Sequence, residues 1–262
     1  MTALSEAPLW ITGILLVGGM TLLSMAGLIL VRRWIGLDRL RTNNEVAGFK
    51  FATVGVLYAV LLAFAVLVVW EKFNRAEENV AQEAGGAATI YRLAAGLGEE
   101  EGAGLRDSMT AYLKAAITED WPAMAAGEPS LIANQALNNV YAAALRYRPA
   151  DQRGTVVLTA VLHQLDLITD ARRARIVVAS GVVPGVIWLV LLGGALVTIG
   201  FTYFFGTENL RAQMLMTGAL SLLIFSGLLI IIAIDRPFAG SVRIEPEALA
   251  LVLMDFGGRS SH

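Results

Sequence analysis

The chain has 262 residues, of which 56% are apolar and only 16% are charged, with a formal net charge of −2 and no cysteine. Soluble domains average about 45–50% apolar and about 25% charged residues, so this composition, with a mean hydropathy of +0.63, excludes an ordinary soluble or disordered protein. The balanced charge gives no indication of nucleic-acid binding, and the lack of cysteine excludes thiol nucleophiles, disulfides and Cys-based metal sites. Composition alone therefore predicts a membrane protein.

Four stretches are long enough to cross the hydrocarbon core of a bilayer, which takes about 20 apolar residues in a helix. They are Leu9–Val31, Phe51–Trp70, Ile176–Phe205 and Ala212–Ile234. Runs of this length exclude barrel strands. The first is expected to be retained rather than cleaved, because no basic residue precedes it, and Pro184 is expected to kink the third. The prediction is an all-α membrane protein with four transmembrane helices.

The predicted organisation places the first two transmembrane helices in 1-70, a helical extramembrane bundle in 71-175, the last two transmembrane helices in 176-235, and a tail with a short helix in 236-262. The insert carries 11 basic and 14 acidic residues and three stripes of apolar residues at helical spacing. The stripes are Leu105, Met109, Tyr112, Leu113, Ala116 and Ile117; Leu131, Ala136, Val140, Tyr141, Ala144 and Leu145; and Val157, Val161, Leu165 and Ile168.

The ends of the insert are expected to join the membrane helices without a break. No proline occurs from Glu45 to Leu97, so the second span is predicted to continue into the insert as one helix. The last insert helix is predicted to enter the third span through Arg172, Arg173 and Arg175. In the tail, Pro246 fits the first turn of a helix, whose apolar residues are expected to dock on the insert or on a neighbouring subunit.

The most informative pattern is a stripe of small side chains on one face of the second span, with a carboxylate before it and large residues after it. Its members are Glu45, Gly48, Ala52, Gly55, Ala59, Ala63, Val66, Trp70 and Phe73. Small residues let membrane helices pack closely, so one hypothesis is a helix-packing seam. The other hypothesis places the stripe on a symmetry axis, where copies from several subunits line a pore that gates by dewetting.

Asn43 and Asn44 stand just before this helix, beside Glu45. Either they cap the helix, with Glu45 complementing the positive end of its dipole, or the group forms a pore mouth where a ring of carboxylates attracts cations.

Several functions are excluded by what the sequence lacks. No charged residue lies inside the four predicted spans, which counts against a pump or a proton-coupled transporter. No phosphate loop, dinucleotide fingerprint or hydrolase motif occurs, so we expect no enzyme activity, no catalytic residue, no cofactor and no metal.

The positive-inside rule gives a divided answer on orientation. Loop 32–50 is densely basic and flanks the first span, which favours a cytoplasmic loop and an insert on the other side. The total number of basic residues on the two sides leans weakly the other way.

Three motifs resemble the bestrophin-like domain family of bacterial membrane proteins: Asn44–Gly48, Tyr58–Asn74 and Asp235–Gly240. Within the last motif, Asp235 and Arg236 are expected to form a local ion pair or an interfacial anchor. The family name implies kinship with bestrophins, which are pentameric anion channels with four spans. The resemblance implies that the second span lines the pore and that the insert and both termini are cytoplasmic. Bestrophin pores are narrowed by aromatic or bulky apolar side chains, whereas this stripe is Gly and Ala over four turns.

The leading functional hypothesis is an oligomeric ion channel or channel-like pore of the bacterial inner membrane, with the second span lining its axis. The expected partners are the lipid bilayer and further copies of the chain. The alternative is a non-catalytic structural or accessory subunit of a larger membrane complex, with another membrane protein as partner. A third hypothesis is a sensor whose bundle binds a ligand.

Overall fold

A computed structural model describes residues 8–41 and 44–259, which form helices and loops with no strand. Four helices are long and apolar enough to span a membrane: α1 (Leu9–Ile35), α3 (Asn44–Leu93), α8 (Gly185–Thr202) and α9 (Leu210–Ile234). The other helices are α2 (Leu37–Arg41), α4 (Glu99–Ala115), α5 (Trp121–Ala125), α6 (Leu131–Arg146), α7 (Gln152–Ala179) and α10 (Glu247–Arg259). A π-helical segment, Ala116–Asp120, joins α4 to α5. Four membrane-spanning helices are thus confirmed.

The helix boundaries follow local chemistry. Gly36 ends α1 with a φ of +80°, which the residue adopts without a steric penalty. The side chains of Ser130, Asp151 and Asn209 cap α6, α7 and α9 by accepting from backbone N–H groups of the first turn. As predicted, α3 runs from the second span into the insert without interruption.

The chain forms two compact units. The membrane unit consists of Met1–Glu71, Val182–Asp235 and Gly240–Val242, of which residues 1–7 and 42–43 lie outside the described part. Helix α9 is its most buried span, with 44% of its most apolar stretch buried, against 11% for α1 and for α3. Most of the apolar surface of α1 and α3 is therefore available to lipid or to another chain.

The bundle unit consists of Lys72–Gly181, Arg236–Ala239 and Arg243–His262, of which residues 260–262 lie outside the described part. The apolar stripes predicted on α4 and α7 supply much of its core, which includes Leu105, Met109, Tyr112, Leu165 and Ile168. The stripe predicted on α6 is wrong in part, because Leu131 and Leu145 are exposed and the buried face is formed by Ala133, Leu137, Val140 and Ala144. Leu249 and Phe256 of α10 are buried in the same core, and Phe256 stacks on Tyr91 with ring centroids 3.8 Å apart. The tail helix therefore docks on the bundle of its own chain.

The expected third span is wrong in its first part. Helix α7 ends at Ala179 and α8 begins at Gly185, so a non-helical break replaces the expected kink and the continuous entry through Arg172, Arg173 and Arg175. Pro184 supplies no N–H and disfavours helical geometry in the residue before it. Gly181 has a φ of +115°, and the chain therefore leaves the helix before the proline.

Candidate functional site

The small-residue stripe of α3 is open in the membrane unit. Glu45, Ala52, Ala59, Ala63 and Trp70 are exposed, whereas Gly48, Gly55 and Val66 are half-buried. A Cβ built on Gly55 meets nothing within 4 Å, and one built on Gly48 has Phe205 as its nearest neighbour at 3.9 Å. The stripe is therefore not the surface by which α3 packs on the described helices of its own unit.

A different face of α3 makes that contact. Tyr58 and Val69 are buried, and the Tyr58 hydroxyl donates to the backbone carbonyl of Leu191 at 3.1 Å. A Cβ on Gly194 of α8 would lie 2.5 Å from the Tyr58 ring, and one on Gly227 of α9 would lie 2.8 Å from Leu62. These glycines let α3 approach α8 and α9 closely, as small residues do between membrane helices.

Phe73, the last residue of the predicted stripe, has different surroundings. It lies in the bundle unit, where it packs partly buried against the apolar core. Trp70 is 53% exposed at the end of the apolar part of α3, as is typical of an aromatic residue at a membrane surface. The open stripe therefore runs from Glu45 to Trp70.

The start of α3 is tied to the loop between α8 and α9. The Asn44 carboxamide donates to the Gly206 carbonyl and accepts from the Gly206 N–H, both at 2.9 Å. The Asn44 side chain therefore ties the start of α3 to this loop, and its role as a helix cap or pore-mouth residue stays a prediction. Asn43, the other predicted cap or pore-mouth residue, lies outside the described residues. Glu45 is exposed beside this contact.

Two arginines of the basic loop also hold this end of the membrane unit. Arg32 donates to the Thr207 carbonyl at 2.8 Å and to Gln213 Oε1 at 2.9 Å. Arg41 forms an ion pair with Glu208, and its hydrogen bond and charge lower the pKa of that exposed carboxyl group. Part of the basic charge counted for orientation is thus engaged in structural contacts.

The Asp235–Gly240 motif begins with a clamp on the break before α8. Asp235 Oδ1 accepts from the backbone N–H of Val182 at 3.0 Å and of Val183 at 2.8 Å. These two N–H groups precede Pro184 and have no partner within a helix. The carboxylate accepts hydrogen bonds from both, and leaving such donors without an acceptor in a hydrocarbon environment would cost several kcal/mol each.

The membrane unit also buries three hydroxyl oxygens that make no hydrogen bond within the described residues, those of Thr21 on α1, Thr198 on α8 and Ser221 on α9. One turn nearer the loop, Thr202 and Thr217 lie 3.3 Å apart in a buried hydrogen bond. The contact between α8 and α9 therefore contains a hydrogen-bonded pair of hydroxyls near the loop. One turn further from the loop, the hydroxyls of Thr198 and Ser221 have no hydrogen-bond partner among the described residues.

The bundle contains a buried ion cluster that the sequence analysis missed. Arg175 donates to both carboxylate oxygens of Glu83 at 2.6 and 3.0 Å, and to Asp120 at 3.0 Å. All three side chains are fully buried. Tyr112 donates its hydroxyl to Glu83 at 2.5 Å. The cluster thus joins α3, α4, the π-helical segment and α7.

Asp120 carries the second half of this cluster. It accepts two bonds from Arg172, at 2.7 and 3.0 Å, and one from the backbone N–H of Ser130 at 3.1 Å. Arg175 lies 4.7 Å from the centre of the Trp121 ring. Two carboxylates and two guanidinium groups therefore balance in charge, and hydrogen bonds from both sides offset the cost of burying them.

The electrostatics of the cluster shift the pKa values of Arg175 and Tyr112. Burial lowers the pKa of Arg175, but the Glu83 carboxylate and its hydrogen bonds outweigh that effect and raise the pKa above its ordinary value. Burial, and then the charge of Glu83, raise the pKa of Tyr112 well above its usual range. The guanidinium therefore stays charged and the phenol stays protonated.

Helical spacing contained a signal for the cluster. Val161, Leu165 and Ile168 define the buried face of α7, and Arg172 and Arg175 continue it at the same spacing. Glu83 similarly follows Ala76 and Val80 on α3. Within the described residues no three His, Cys, Asp or Glu side chains are grouped so as to hold a metal ion.

Comparison with solved structures supports a membrane-protein fold. Two point mutants of a bacterial bestrophin homologue from Klebsiella pneumoniae superimpose with TM-scores of 0.72 and 0.67 at 14% identity. The alignments cover 92% and 90% of this chain and 99% and 98% of those chains. A further solved structure, described only as a membrane protein, aligns with a TM-score of 0.70 at 16% identity, covering 94% of this chain and 98% of the other.

No curated protein matches the sequence significantly. The family comparison, by contrast, covers most of the chain and both compact units. Residues 18–249 match the Bestrophin-like domain, and the chain therefore belongs to the Bestrophin-like domain family.

Proposed function

We propose that this protein is the subunit of an oligomeric ion channel or channel-like pore of the bacterial inner membrane, in which α3 of each copy faces the symmetry axis. The small-residue stripe from Gly48 to Val66 lines the path, and Glu45 lies at one mouth. The bestrophin resemblance adds an expectation of four-span subunits around a shared pore.

The observation that carries this proposal is the open small-residue face of α3. The helix packs on its own unit through Tyr58, Leu62 and Val69, while Ala52, Ala59 and Ala63 remain exposed. A helix surrounded only by lipid needs no stripe of small residues, because bulky apolar side chains are equally compatible with lipid. A face of this kind suits close approach of other helices, or an apolar path whose walls do not bind the ion.

The charge distribution supports passive conduction. The predicted spans contain no charged residue, whereas pumps and proton-coupled transporters use ionisable groups inside the membrane. Repeated around an axis, the exposed Glu45 carboxylates raise the local concentration of cations. We therefore expect a preference for cations, although the family resemblance alone implies anions.

The test is reconstitution of the purified chain into liposomes, with ion flux measured under opposed gradients of potassium and chloride. The oligomeric state is measured in the same preparation. We expect flux above that of protein-free liposomes from a ring-shaped oligomer. A confirmed oligomer that passes no ion under any gradient contradicts the channel, and a stoichiometric second protein retained after mild solubilisation favours the accessory-subunit alternative.

A further inference from the structure

We propose that Tyr58, seated on Gly194, is the positioning residue that sets the rotation of α3 about its own axis and thereby determines which residues form the open stripe. The inference rests on the proposed function, since the residues so directed are the candidate pore lining. The contact between Tyr58 and Gly194 itself lies outside the proposed pore lining.

The geometry of α3 separates the two faces. At 3.6 residues per turn, Tyr58, Leu62 and Val69 lie within about 40° of one another around the helix. Gly55, Ala59 and Ala63 are displaced from Tyr58 by about 60–140° in one direction. Whatever fixes the direction of the Tyr58 side chain therefore fixes the direction of the stripe.

Two features of the Tyr58 contact fix the rotation of α3 about its own axis. The ring occupies the space that a side chain at Gly194 would take, with its Cδ2 and Cε2 atoms 2.5 and 2.6 Å from an ideal Cβ there. The hydroxyl reaches past this point to the Leu191 carbonyl at 3.1 Å. A ring held in a groove and a hydrogen bond at its far end define one orientation, whereas the Leu62–Gly227 contact involves a flexible side chain without a directional bond.

The adjacent pair Gly193 and Gly194 supplies a matched control. A Cβ on Gly193 meets nothing within 4 Å, so Gly193→Ala makes the same chemical change in the same turn of α8 without touching α3. Gly194→Ala instead forces the ring outward by about 1 Å to reach an ordinary contact distance. The two variants separate the effect of an alanine in α8 from the effect of displacing Tyr58.

The experiment is a nitroxide scan of positions 55 to 66, leaving out position 58 so that Tyr58 is kept, in the full-length protein reconstituted in lipid; it is straightforward because there is no native cysteine. Collision with oxygen reports which positions face lipid, and collision with a water-soluble nickel chelate reports which face water. In the parent and in Gly193→Ala we expect the same helical oxygen profile, with its minimum near Tyr58.

In Gly194→Ala and Tyr58→Ala we expect the profile to shift or to lose its contrast, while Tyr58→Phe, which keeps the ring in the groove, retains the parent phase. An unchanged profile in an assembled Gly194→Ala or Tyr58→Ala protein overturns the proposal. If Gly194→Ala alone does not assemble, the test is the double variant that combines Tyr58→Ala with Gly194→Ala, because it has no clash and must assemble. If this double variant fails to assemble while Tyr58→Ala does assemble, the proposal is also overturned.

The two collision reagents keep this inference distinct from the pore itself. If the stripe positions of the parent exclude the nickel chelate in the conducting oligomer, the proposed pore lining fails. The oxygen profile still decides whether Tyr58 sets the rotation of α3.

Discussion

Removing the charge of Arg175 tests the ion cluster of the bundle most severely. Arg175→Met keeps an extended side chain against Trp121 but deletes two hydrogen bonds to Glu83 and one to Asp120. Among the described residues, Glu83 then keeps the Tyr112 hydroxyl as its hydrogen-bond donor. A fully buried carboxylate is left without a compensating charge.

Breaking one partner of a buried ion pair costs about 3–5 kcal/mol. At about 2–4 °C per kcal/mol for a chain of this size, we expect the unfolding midpoint to fall by about 6–20 °C. Adding Glu83→Gln removes the uncompensated charge, and we expect the double variant to recover more than half of the loss, since paired deletion of a buried ion pair is far less costly.

The assay is thermal unfolding in lipid nanodiscs, followed by tryptophan fluorescence, because Trp121 lies against the Arg175 guanidinium. Arg173→Met is the control: it removes an equal charge from an exposed position two residues away. The reasoning is refuted if Arg175→Met is no more destabilising than Arg173→Met, or if Glu83→Gln adds to the damage instead of reversing it.

Three further results are expected. Glu45→Gln should lower the cation-to-anion permeability ratio, measured from reversal potentials, because the exposed carboxylate is lost from the proposed mouth. Folding stability should fall as the pH rises above about 10, because Tyr112 then ionises in the unfolded chain while its raised pKa keeps it protonated in the native state. In denaturation curves measured at a series of pH values, Tyr112→Phe should make this decline less steep. Thr198→Val and Ser221→Ala should each raise stability in thermal melts, by about 1 kcal/mol, since each removes a buried hydroxyl without a partner, and a loss of stability would contradict that account.

The membrane helices could be predicted because their signal is local. A run of apolar residues such as Ala212–Ile234 is by itself long enough to predict a membrane helix, and α9 begins within two residues of the predicted start. The bundle stripes are equally local, since the side chains of Leu105, Met109 and Tyr112 share one face by helical spacing alone. These features needed no knowledge of distant partners.

The break before α8 and the ion cluster could not be predicted in the same way, because their partners are distant in sequence. Arg175 meets Glu83 across 92 positions and Asp120 across 55. Asp235 clamps Val182 across 53 positions. A charged residue is normally assigned to solvent because burying it alone is costly, and only the fold reveals the partner that offsets the cost.

The small-residue stripe lies between these two cases. Its helical face was readable from Gly48, Gly55 and Ala59, and the structure leaves that face uncovered. Contacts between copies of the chain decide whether this face lines an ion path or packs against another chain, and a single chain does not contain them. The pore lining therefore stays a prediction.

The most direct test of the pore is thiol modification during conduction. Ala59→Cys places a thiol on the stripe, and Val60→Cys places one on the adjacent exposed residue, about 100° from Ala59 around the helix. In a lipid bilayer with an established current, we predict that a charged, water-soluble thiol reagent changes the current through Ala59→Cys and leaves Val60→Cys unaffected. A current that responds equally in both variants, or in neither, contradicts a pore lined by the small-residue face of α3.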